Sequence, residues 1–291
     1  MGLVEAIVLG IVQGLTEFLP ISSTAHIRIV PSLVGWPDPG AAFTAVIQLG
    51  TIVAVIVYFW GDLCRFFLGW LAGMRDPHRR SSLEWRMGWA IVVGTIPIAI
   101  FGLLFKDSIE GSLRSLYVIA IALIALGLLM MVAEIVGRRD CSLEGVRLRD
   151  GLWVGFWQAL ALIPGASRSG TTITGGLFAG LDRPTAARFS FLLSVPSIVL
   201  AALFNLAEHK DLFLTGKAEL LAPSLVASLA ALISGYASIA FLLRFLQKHG
   251  TWVFVAYRVV LGGLILVLLA NGSLEALDSA SEAQAEVAAT R

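Results

Sequence analysis

Charged residues are scarce in this chain, and the two signs almost cancel. Only 14% of the 291 residues are Asp, Glu, Lys or Arg, and the formal net charge is +1. A net charge this small gives no electrostatic basis for binding nucleic acid. The charged fraction also lies far below the roughly 25% of an ordinary soluble domain. We therefore exclude a nucleic-acid-binding protein and a soluble globular enzyme.

Cysteine is almost absent, and so is a basic segment at the N-terminus. Cys64 and Cys141 lie in or beside charged segments and do not have the spacing of metal ligands, so we interpret both as structural. The apolar N-terminal stretch carries Glu5, Gln13 and Glu17 instead of leading Lys or Arg residues. The sequence therefore predicts neither a cysteine metal centre nor a cleaved signal peptide.

Long hydrophobic runs are what the chain has in abundance. Hydrophobic residues make up 57% of the sequence, and the mean hydropathy is +0.85. A membrane-spanning helix needs about 20 apolar residues. Six runs meet this requirement and predict six transmembrane helices: 41–61, 87–105, 116–133, 189–207, 220–243 and 251–270. Arg258 lies within the last run, where we expect it to snorkel or to form an ion pair.

Two further apolar segments are interrupted by proline. Residues 3–34 break at Pro20, and residues 153–181 break at Pro164 and Gly165. The second helix of the first segment is too short to span a bilayer by itself, and the other segment is again two short helices around a break. They are typical of re-entrant hairpins whose non-helical tips are buried in protein.

The two halves of the chain resemble each other at an offset of about 145 residues. Gly10-x-x-Gln13 followed by Pro20-x-x-Ser23 recurs as Gly155-x-x-Gln158 followed by Pro164-x-x-Ser167. A hairpin and three spans in each half invert the second copy, which is the plan of inverted-repeat membrane proteins. The predicted fold is therefore an all-α polytopic membrane protein. Its predicted parts are a first repeat (1–136), a cytoplasmic loop (137–150), a second repeat (151–270) and a disordered tail (271–291).

Arginines predict the orientation of the chain. The segments 62–86 and 134–150, which we expect to be loops, carry nine arginines between them, and two spans separate them. The positive-inside rule places such loops in the cytoplasm. Both termini are then expected outside, and the two hairpin tips are expected to meet inside the membrane.

The tip of the second hairpin predicts an anion site. Pro164 and Gly165 end one helix, and Ser169 is a plausible N-cap for the next. Arg168 would share this position with a helix N-terminus and nearby hydroxyl groups, a set that suits phosphate. The predicted substrate-binding residues here are Gly165, Ser167, Ser169 and Thr172. The alternative is an arginine that braces two helices through backbone carbonyl groups.

The tip of the first hairpin predicts the reacting groups. Gln13 and Glu17 share a helix face and could hold a hard divalent cation through oxygen ligands. Ser22 offers a further hydroxyl for the substrate. Ser23 could be a nucleophile with His26 as its base, or His26 could itself form a phosphohistidine, or water could attack.

With these residues assembled, the chain resembles the undecaprenyl-diphosphate phosphatases of the bacitracin-resistance family. The family pattern Glu/Gln-x-x-x-Glu is met by Gln13 and Glu17, and the long pattern Pro-Gly-x-Ser-Arg-Ser-x-x-Thr is met from Pro164 to Thr172. The resemblance extends to about residue 270. It implies hydrolysis of undecaprenyl diphosphate to the monophosphate lipid carrier, with Mg²⁺ or Ca²⁺ as cofactor. The residues that carry over by motif are Glu17, Ser23, His26, Ser167, Arg168 and Thr172.

The resemblance also implies a localisation and binding partners. The expected localisation is the bacterial inner membrane, with the active site open to the periplasmic side. The expected partners are a prenyl diphosphate lipid, the bilayer and a second copy of the chain in a homodimer. The alternative function is an inverted-repeat transporter or flippase of an anionic or lipid-phosphate substrate, because broken helices around a midplane anion site suit transport equally well.

Overall fold

The computed structural model describes residues 1–37, 39–110, 112–208 and 218–274. In these ranges the chain is helical. The α-helices, in chain order, are α1 (Leu3–Phe18), α2 (Ser23–Val34), α3 (Gly40–Tyr58), α4 (Trp60–Arg75), α5 (Leu83–Leu104), α6 (Lys106–Glu110), α7 (Leu116–Val136), α8 (Leu148–Ala159), α9 (Arg168–Phe178), α10 (Arg183–Glu208), α11 (Ala218–Lys248) and α12 (Trp252–Ala270). Short 3₁₀ turns occupy Pro77–Ser81, Ser112–Arg114, Leu143–Gly145 and Leu160–Leu162.

The long helices fall on the six predicted spans. Among the described residues, α5, α7, α10, α11 and α12 are each long and apolar enough to cross a membrane. Residues Phe43–Tyr58 of α3 and Trp60–Arg75 of α4 meet the same requirement as a pair, across a bend of 71°. The chain is thus an all-helical, multi-pass membrane protein with five or six spans, depending on whether the bent pair counts as one.

The prediction that residues 62–86 form a loop is wrong, because most of this segment is helical. Helix α4 packs against the start of α5 through small residues: a Cβ on Gly73 would lie 2.4 Å from the Trp85 ring, and one on Gly88 would lie 2.5 Å from Cβ of Trp70. Aromatic and charged side chains share this helix, as in an amphipathic interfacial helix. Counting the charges of this segment does not test their helical spacing, so the prediction missed α4.

The two broken-helix segments each lie against a long helix from the other half of the chain. Helix α1 packs closely on α11, where a Cβ on Gly10 would lie only 2.2 Å from the Ala227 carbonyl oxygen. Helix α8 packs in the same manner on α5, since a Cβ on Gly155 would lie 2.4 Å from the Gly94 carbonyl oxygen. Glycine at both contacts lets the backbones approach as they do in small-residue membrane interfaces.

Most of the ion pairs collect at one end of the helices. The buried carboxylate of Glu134 accepts hydrogen bonds from Arg183, from Arg139 at 2.9 Å and from the Thr251 hydroxyl at 2.9 Å. Two further links join chain segments at this end: Arg188 binds Asp62 through both carboxylate oxygens, and Arg86 donates to the Glu144 carbonyl oxygen at 2.8 Å. The predicted arginine-rich segments therefore meet at the same end of the molecule.

The broken helices are where the sequence predicted them. Helices α1 and α2 enclose the break at Pro20, and helices α8 and α9 enclose the break at Pro164 and Gly165. The re-entrant path, the inverted repeat and the four-part division of the chain remain predictions. The predicted disordered tail lies outside the described residues beyond residue 274.

Candidate active site

Each of the two helix breaks contains a serine that caps the helix after it. Ser22 is the N-cap of α2 with φ 75°, and Ser167 is the N-cap of α9 with φ 67°. The Ser167 hydroxyl accepts from the Gly170 amide at 3.2 Å, and the Ser22 hydroxyl accepts from the Ala25 amide at 3.4 Å. Positive φ is costly for serine and is concentrated at functional sites.

This geometry corrects two predictions. Ser169 is not the N-cap of α9, because the helix already begins at Arg168 and the Ser167 hydroxyl takes the capping position. The predicted correspondence of Ser23 with Ser167 is displaced by one residue, since the capping partner of Ser167 is Ser22. Ser23 therefore matches Arg168: each is the first residue of a helix whose free N–H groups point into the break.

Glu17 is the centre of the site. Its Oε1 atom accepts from Arg168 and from Gln48 Nε2 at 3.1 Å, and its Oε2 atom accepts from Ser23 Oγ at 2.8 Å and from Gln13 Nε2 at 3.1 Å. The Glu17 side chain is 6% exposed and that of Arg168 is 20% exposed. A carboxylate so deeply placed is stabilised by its cation and its hydrogen bonds together.

A cavity of about 550 Å³ opens beside this cluster. Among the predicted site residues, those that line it are Glu17, Ser22, Ser23, Gly165, Ser167 and Arg168. The wall continues with Gly102 and Leu103 at the end of α5 and with Lys106 and Ile109 on α6, away from the arginine-rich end. The cavity therefore extends toward the end of the molecule opposite the arginine-rich segments.

The remaining predicted site residues lie behind the cavity wall. Gln13 is 2% exposed and reaches the site only through Glu17 and Gln48. The Ser169 hydroxyl donates to the Leu19 carbonyl oxygen at 3.1 Å, and the Thr172 hydroxyl contacts Ser190 Oγ at 2.5 Å. These contacts hold the helices together, and the structure does not bring these three side chains to the cavity.

His26 is not brought to Ser23. Its Nδ1 atom lies 2.7 Å from the Ser22 carbonyl oxygen, which can only accept, so Nδ1 carries the proton. Its Nε2 atom then accepts from the Tyr257 hydroxyl at 2.6 Å. Both ring nitrogens are committed to the backbone of the break and to α12. The predicted pairing of Ser23 with His26 is therefore wrong in this geometry: the group that Ser23 contacts is Glu17.

Sequence reasoning missed Gln48. This residue links Gln13 and Glu17, and it lies on the cavity wall. The available signal was an amide side chain in the middle of the apolar run 41–61, where an unpartnered polar group is unfavourable. Thr24, Thr95 and Ser197 also line the cavity.

The side chains present do not form a ready-made metal site. Among the described residues there is no group of three His, Cys, Asp or Glu side chains that could hold an ion. Of the two predicted ligands, Glu17 lines the cavity with both oxygens already accepting hydrogen bonds, and Gln13 lies behind the cavity wall. Mg²⁺ commonly takes one or two carboxylates and completes its shell with water and substrate phosphates. The donor set therefore fits a cation that arrives together with a diphosphate.

Comparison with known proteins shows the family of the chain. A family model described as "Bacitracin resistance protein BacA" matches residues 6–264. A protein of Chlorobium limicola named undecaprenyl-diphosphatase is 53% identical over 283 residues, which cover 95% of this chain and all of the relative. A protein of Chloroherpeton thalassium with the same name is 50% identical over the same coverage. Matches of this extent, over both halves and both helix breaks, mean that the chain belongs to the BacA family of bacitracin resistance proteins.

Proposed function

We propose that the cluster of Glu17, Ser23 and Arg168 hydrolyses undecaprenyl diphosphate. The chain is an undecaprenyl-diphosphatase of the multi-pass membrane type, and it recycles the lipid carrier undecaprenyl phosphate for cell-wall synthesis. The family name implies bacitracin resistance as the consequence. The observation that carries the site assignment is that Glu17 contacts a serine hydroxyl and an arginine in the wall of one cavity.

The arginine is the group that would hold the diphosphate. Arg168 is the first residue of α9, so its guanidinium and the free N–H groups of the helix end offer donors in the same place. A phosphate competes with Glu17 for Arg168. When the phosphate takes over this contact, Glu17 is left with neutral donors and can accept a proton.

Ser23 is the group that would attack. The Ser23 hydroxyl gives its proton to Glu17 Oε2, and Ser23 Oγ forms a bond to the terminal phosphorus. The bond from that phosphorus to the bridging oxygen breaks, and undecaprenyl phosphate leaves with the bridging oxygen. Glu17 passes the proton from Ser23 to solvent and is a carboxylate again. It then takes a proton from a water whose oxygen bonds to phosphorus, the bond from phosphorus to Ser23 Oγ breaks, Ser23 Oγ recovers a proton from Glu17, and inorganic phosphate leaves. Arg168 and the N–H groups of α9 stabilise the charge on the transferring phosphoryl oxygens.

A divalent cation would enter with the substrate in this scheme. Of the two predicted ligands, Glu17 lines the cavity and would hold the ion, whereas Gln13 lies behind the wall and would act only through Glu17. The ion would supply neutralisation of the diphosphate charge. Mg²⁺ and Ca²⁺ both suit such oxygen ligands.

The apolar groove next to the cavity suits the prenyl chain. This groove has a volume of about 500 Å³ and shares Ile109, Leu162 and Ile163 with the cavity. Its other walls are aromatic and aliphatic, including Phe101, Phe156 and Trp157. A lipid with its diphosphate at Arg168 would leave the cavity past these three shared residues and lie along the faces of α5 and α8.

The orientation supports a site that faces outward. The arginine-rich end is the cytoplasmic end by the positive-inside rule, and the cavity extends toward the other end. We therefore propose that the site faces the periplasmic side of the bacterial inner membrane and that both termini lie outside. The homodimer stays a prediction.

The experiment that tests the assignment is phosphate release from undecaprenyl diphosphate by the purified chain in detergent. Wild type should release one phosphate per lipid, and the variants Ser23→Ala and Arg168→Lys should release it far more slowly while folding normally. Full activity in both variants would refute the assigned cluster.

A further inference from the structure

Arg258 is a completely buried cation in α12. It is 0% exposed, and in the described part of the chain its guanidinium contacts no carboxylate. The prediction that Arg258 snorkels or forms an ion pair is therefore wrong. A buried, unpaired charge within a membrane span is rare and by default marks a functional position.

The guanidinium donates to backbone carbonyl oxygens on three segments of the chain. On α7, Nε contacts Leu123 at 3.1 Å and Nη2 contacts Ala122 at 3.2 Å. At the first helix break, Nη1 contacts the Pro20 carbonyl oxygen at 3.5 Å. At the second helix break, Nη2 contacts the Gly165 carbonyl oxygen at 3.4 Å. One side chain therefore connects both breaks to each other and to α7.

The breaks need such a donor. A helix break inside a membrane protein leaves carbonyl groups without intrahelical partners, and no bulk water is available to satisfy them. Arg258 supplies planar donors in several directions at once, which no neutral side chain and no lysine can do. The cost of burying its charge is offset by four carbonyl dipoles that point at it.

The space around the guanidinium is shaped by two glycines. A Cβ on Gly170, in the first turn of α9, would lie 2.6 Å from Arg258 Nη1. On the α7 side, a Cβ on Gly127 would lie 3.2 Å from Arg258 Cβ. The neighbouring residue Tyr257 contacts His26, whose ring in turn holds the Ser22 carbonyl group. Tyr257 and Arg258 together thus contact the chain on both sides of the active site.

We infer that Arg258 is a positioning residue, which fixes the two helix breaks relative to each other. Glu17 and Ser23 come from the first break, and Arg168 comes from the second. Their mutual distance therefore depends on the donor that holds Pro20 and Gly165 together. This inference rests on the proposed roles of Glu17, Ser23 and Arg168, and it assigns Arg258 no contact with the substrate.

The kinetic test compares Arg258→Met, Arg258→Lys and the control Gly263→Ala. A Cβ at Gly263, on the same helix, meets nothing within 4 Å, so this control should keep wild-type kinetics. Arg258→Met should lower kcat on the order of 10²-fold, as a displacement of about 1 Å does, with KM changed far less. The kcat of Arg258→Lys should lie between that of Arg258→Met and that of the control, because an ammonium group reaches fewer of the four carbonyls.

A cross-link reports the position of the breaks without using activity. Ser169 Oγ lies 3.1 Å from the Leu19 carbonyl oxygen, so the two breaks come close together here, and the pair Leu19→Cys with Ser169→Cys reports on that approach. In a background without Cys64 and Cys141, disulfide formation should be rapid with Arg258 present. It should be several-fold slower with Arg258→Met and unchanged with Gly263→Ala.

The outcomes separate the possibilities. Lower kcat together with slower cross-linking supports the inference. Near-wild-type kcat in Arg258→Met, or lost kcat with an unchanged cross-linking rate, overturns it. If Arg258→Met does not fold, as judged by gel filtration and thermal unfolding, the same two readouts on Arg258→Lys decide. If the double-cysteine chain with Arg258 cross-links rapidly and more slowly with Arg258→Met, while the wild-type chain releases no phosphate, the proposed function is contradicted and the positioning role stands.

Discussion

Arg168 on α9 donates to Glu17 on α1, and the two residues are 151 positions apart in the chain. Each lies beside a helix break, and neither break alone contains both charges. The pair joins the group that would hold phosphate to the group that would accept a proton. In the proposed mechanism this contact links substrate binding to base activation, because the phosphate must displace Glu17 from Arg168.

Arg168→Lys should lose activity on the order of 10²-fold or more, comparable to removing a strong transition-state donor. Lysine keeps the charge but loses the planar fork that can hold two phosphate oxygens. The measurement is kcat/KM for undecaprenyl diphosphate in detergent. A suitable control is Arg79→Lys, because Arg79 is exposed on the 3₁₀ turn Pro77–Ser81. Near-wild-type turnover of Arg168→Lys would contradict the phosphate-holding role.

Glu17→Gln should lower kcat by roughly 10²–10⁴-fold, the range expected for loss of a general base. The amide can still receive the Ser23 hydrogen bond but cannot take its proton. Because Glu17 is also the only carboxylate proposed to hold the cation, the variant should need a higher concentration of Mg²⁺ or Ca²⁺. Glu5→Gln, at the far end of α1, is the matched control. A full rate and an unchanged metal titration would make Glu17 structural.

The two candidate nucleophiles, Ser23 and His26, would leave different phosphorylated intermediates on the protein. With Ser23 as nucleophile, rapid acid quench with labelled diphosphate should yield an acid-stable phosphoserine that Ser23→Ala lacks and His26→Ala retains. An acid-labile label would indicate phosphohistidine. Absence of any label during a full-rate single turnover would leave water as the attacking group. We expect the serine, because Ser23 contacts Glu17 whereas both nitrogens of His26 are engaged elsewhere.

Leu162→Trp should discriminate between lipids of different length. Leu162 lines both the cavity and the apolar groove, so a larger ring there narrows the connection between them. KM for undecaprenyl diphosphate should rise several-fold, while a diphosphate with a chain too short to reach the groove should be little affected. Leu104→Trp is the control, because Leu104 is 69% exposed and lines neither space. Equal effects on both lipids would contradict the assigned path of the chain.

Thiol labelling tests the orientation. In a cysteine-free background, a membrane-impermeant reagent should label Asn271→Cys in intact cells and should label Arg79→Cys only after permeabilisation. The native Cys141 is a poor labelling site, because burial, as the largest cause, and the Asp150 and Asp140 carboxylates raise the pKa of its thiol. Less thiolate is then present at neutral pH, so labelling there is slow even from the correct side. Labelling of Arg79→Cys from outside would invert the proposed topology.

The sequence by itself determined the membrane class, the six apolar runs and the two helix breaks. These properties are local: a run of about 20 uncharged residues favours a membrane-spanning helix, and a Pro-Gly pair ends a helix, whatever the rest of the chain does. The same holds for Arg168, Glu17 and Ser23, which stood out because polar groups in apolar surroundings need a reason. The helical character of α4 was equally local, but it was hidden because charges were counted without regard to their period.

Only the tertiary structure decided which polar groups meet. Gln13, Ser169 and Thr172 have the right residue types for substrate binding, yet packing turns them toward other helices and behind the cavity wall. His26 is three residues from Ser23 in sequence, but α12 supplies Tyr257 as its partner. Arg258 satisfies carbonyl groups of segments 238 and 93 positions away, a relationship that no spacing encodes. Such contacts depend on how distant helices pack, and that is determined by the whole chain at once.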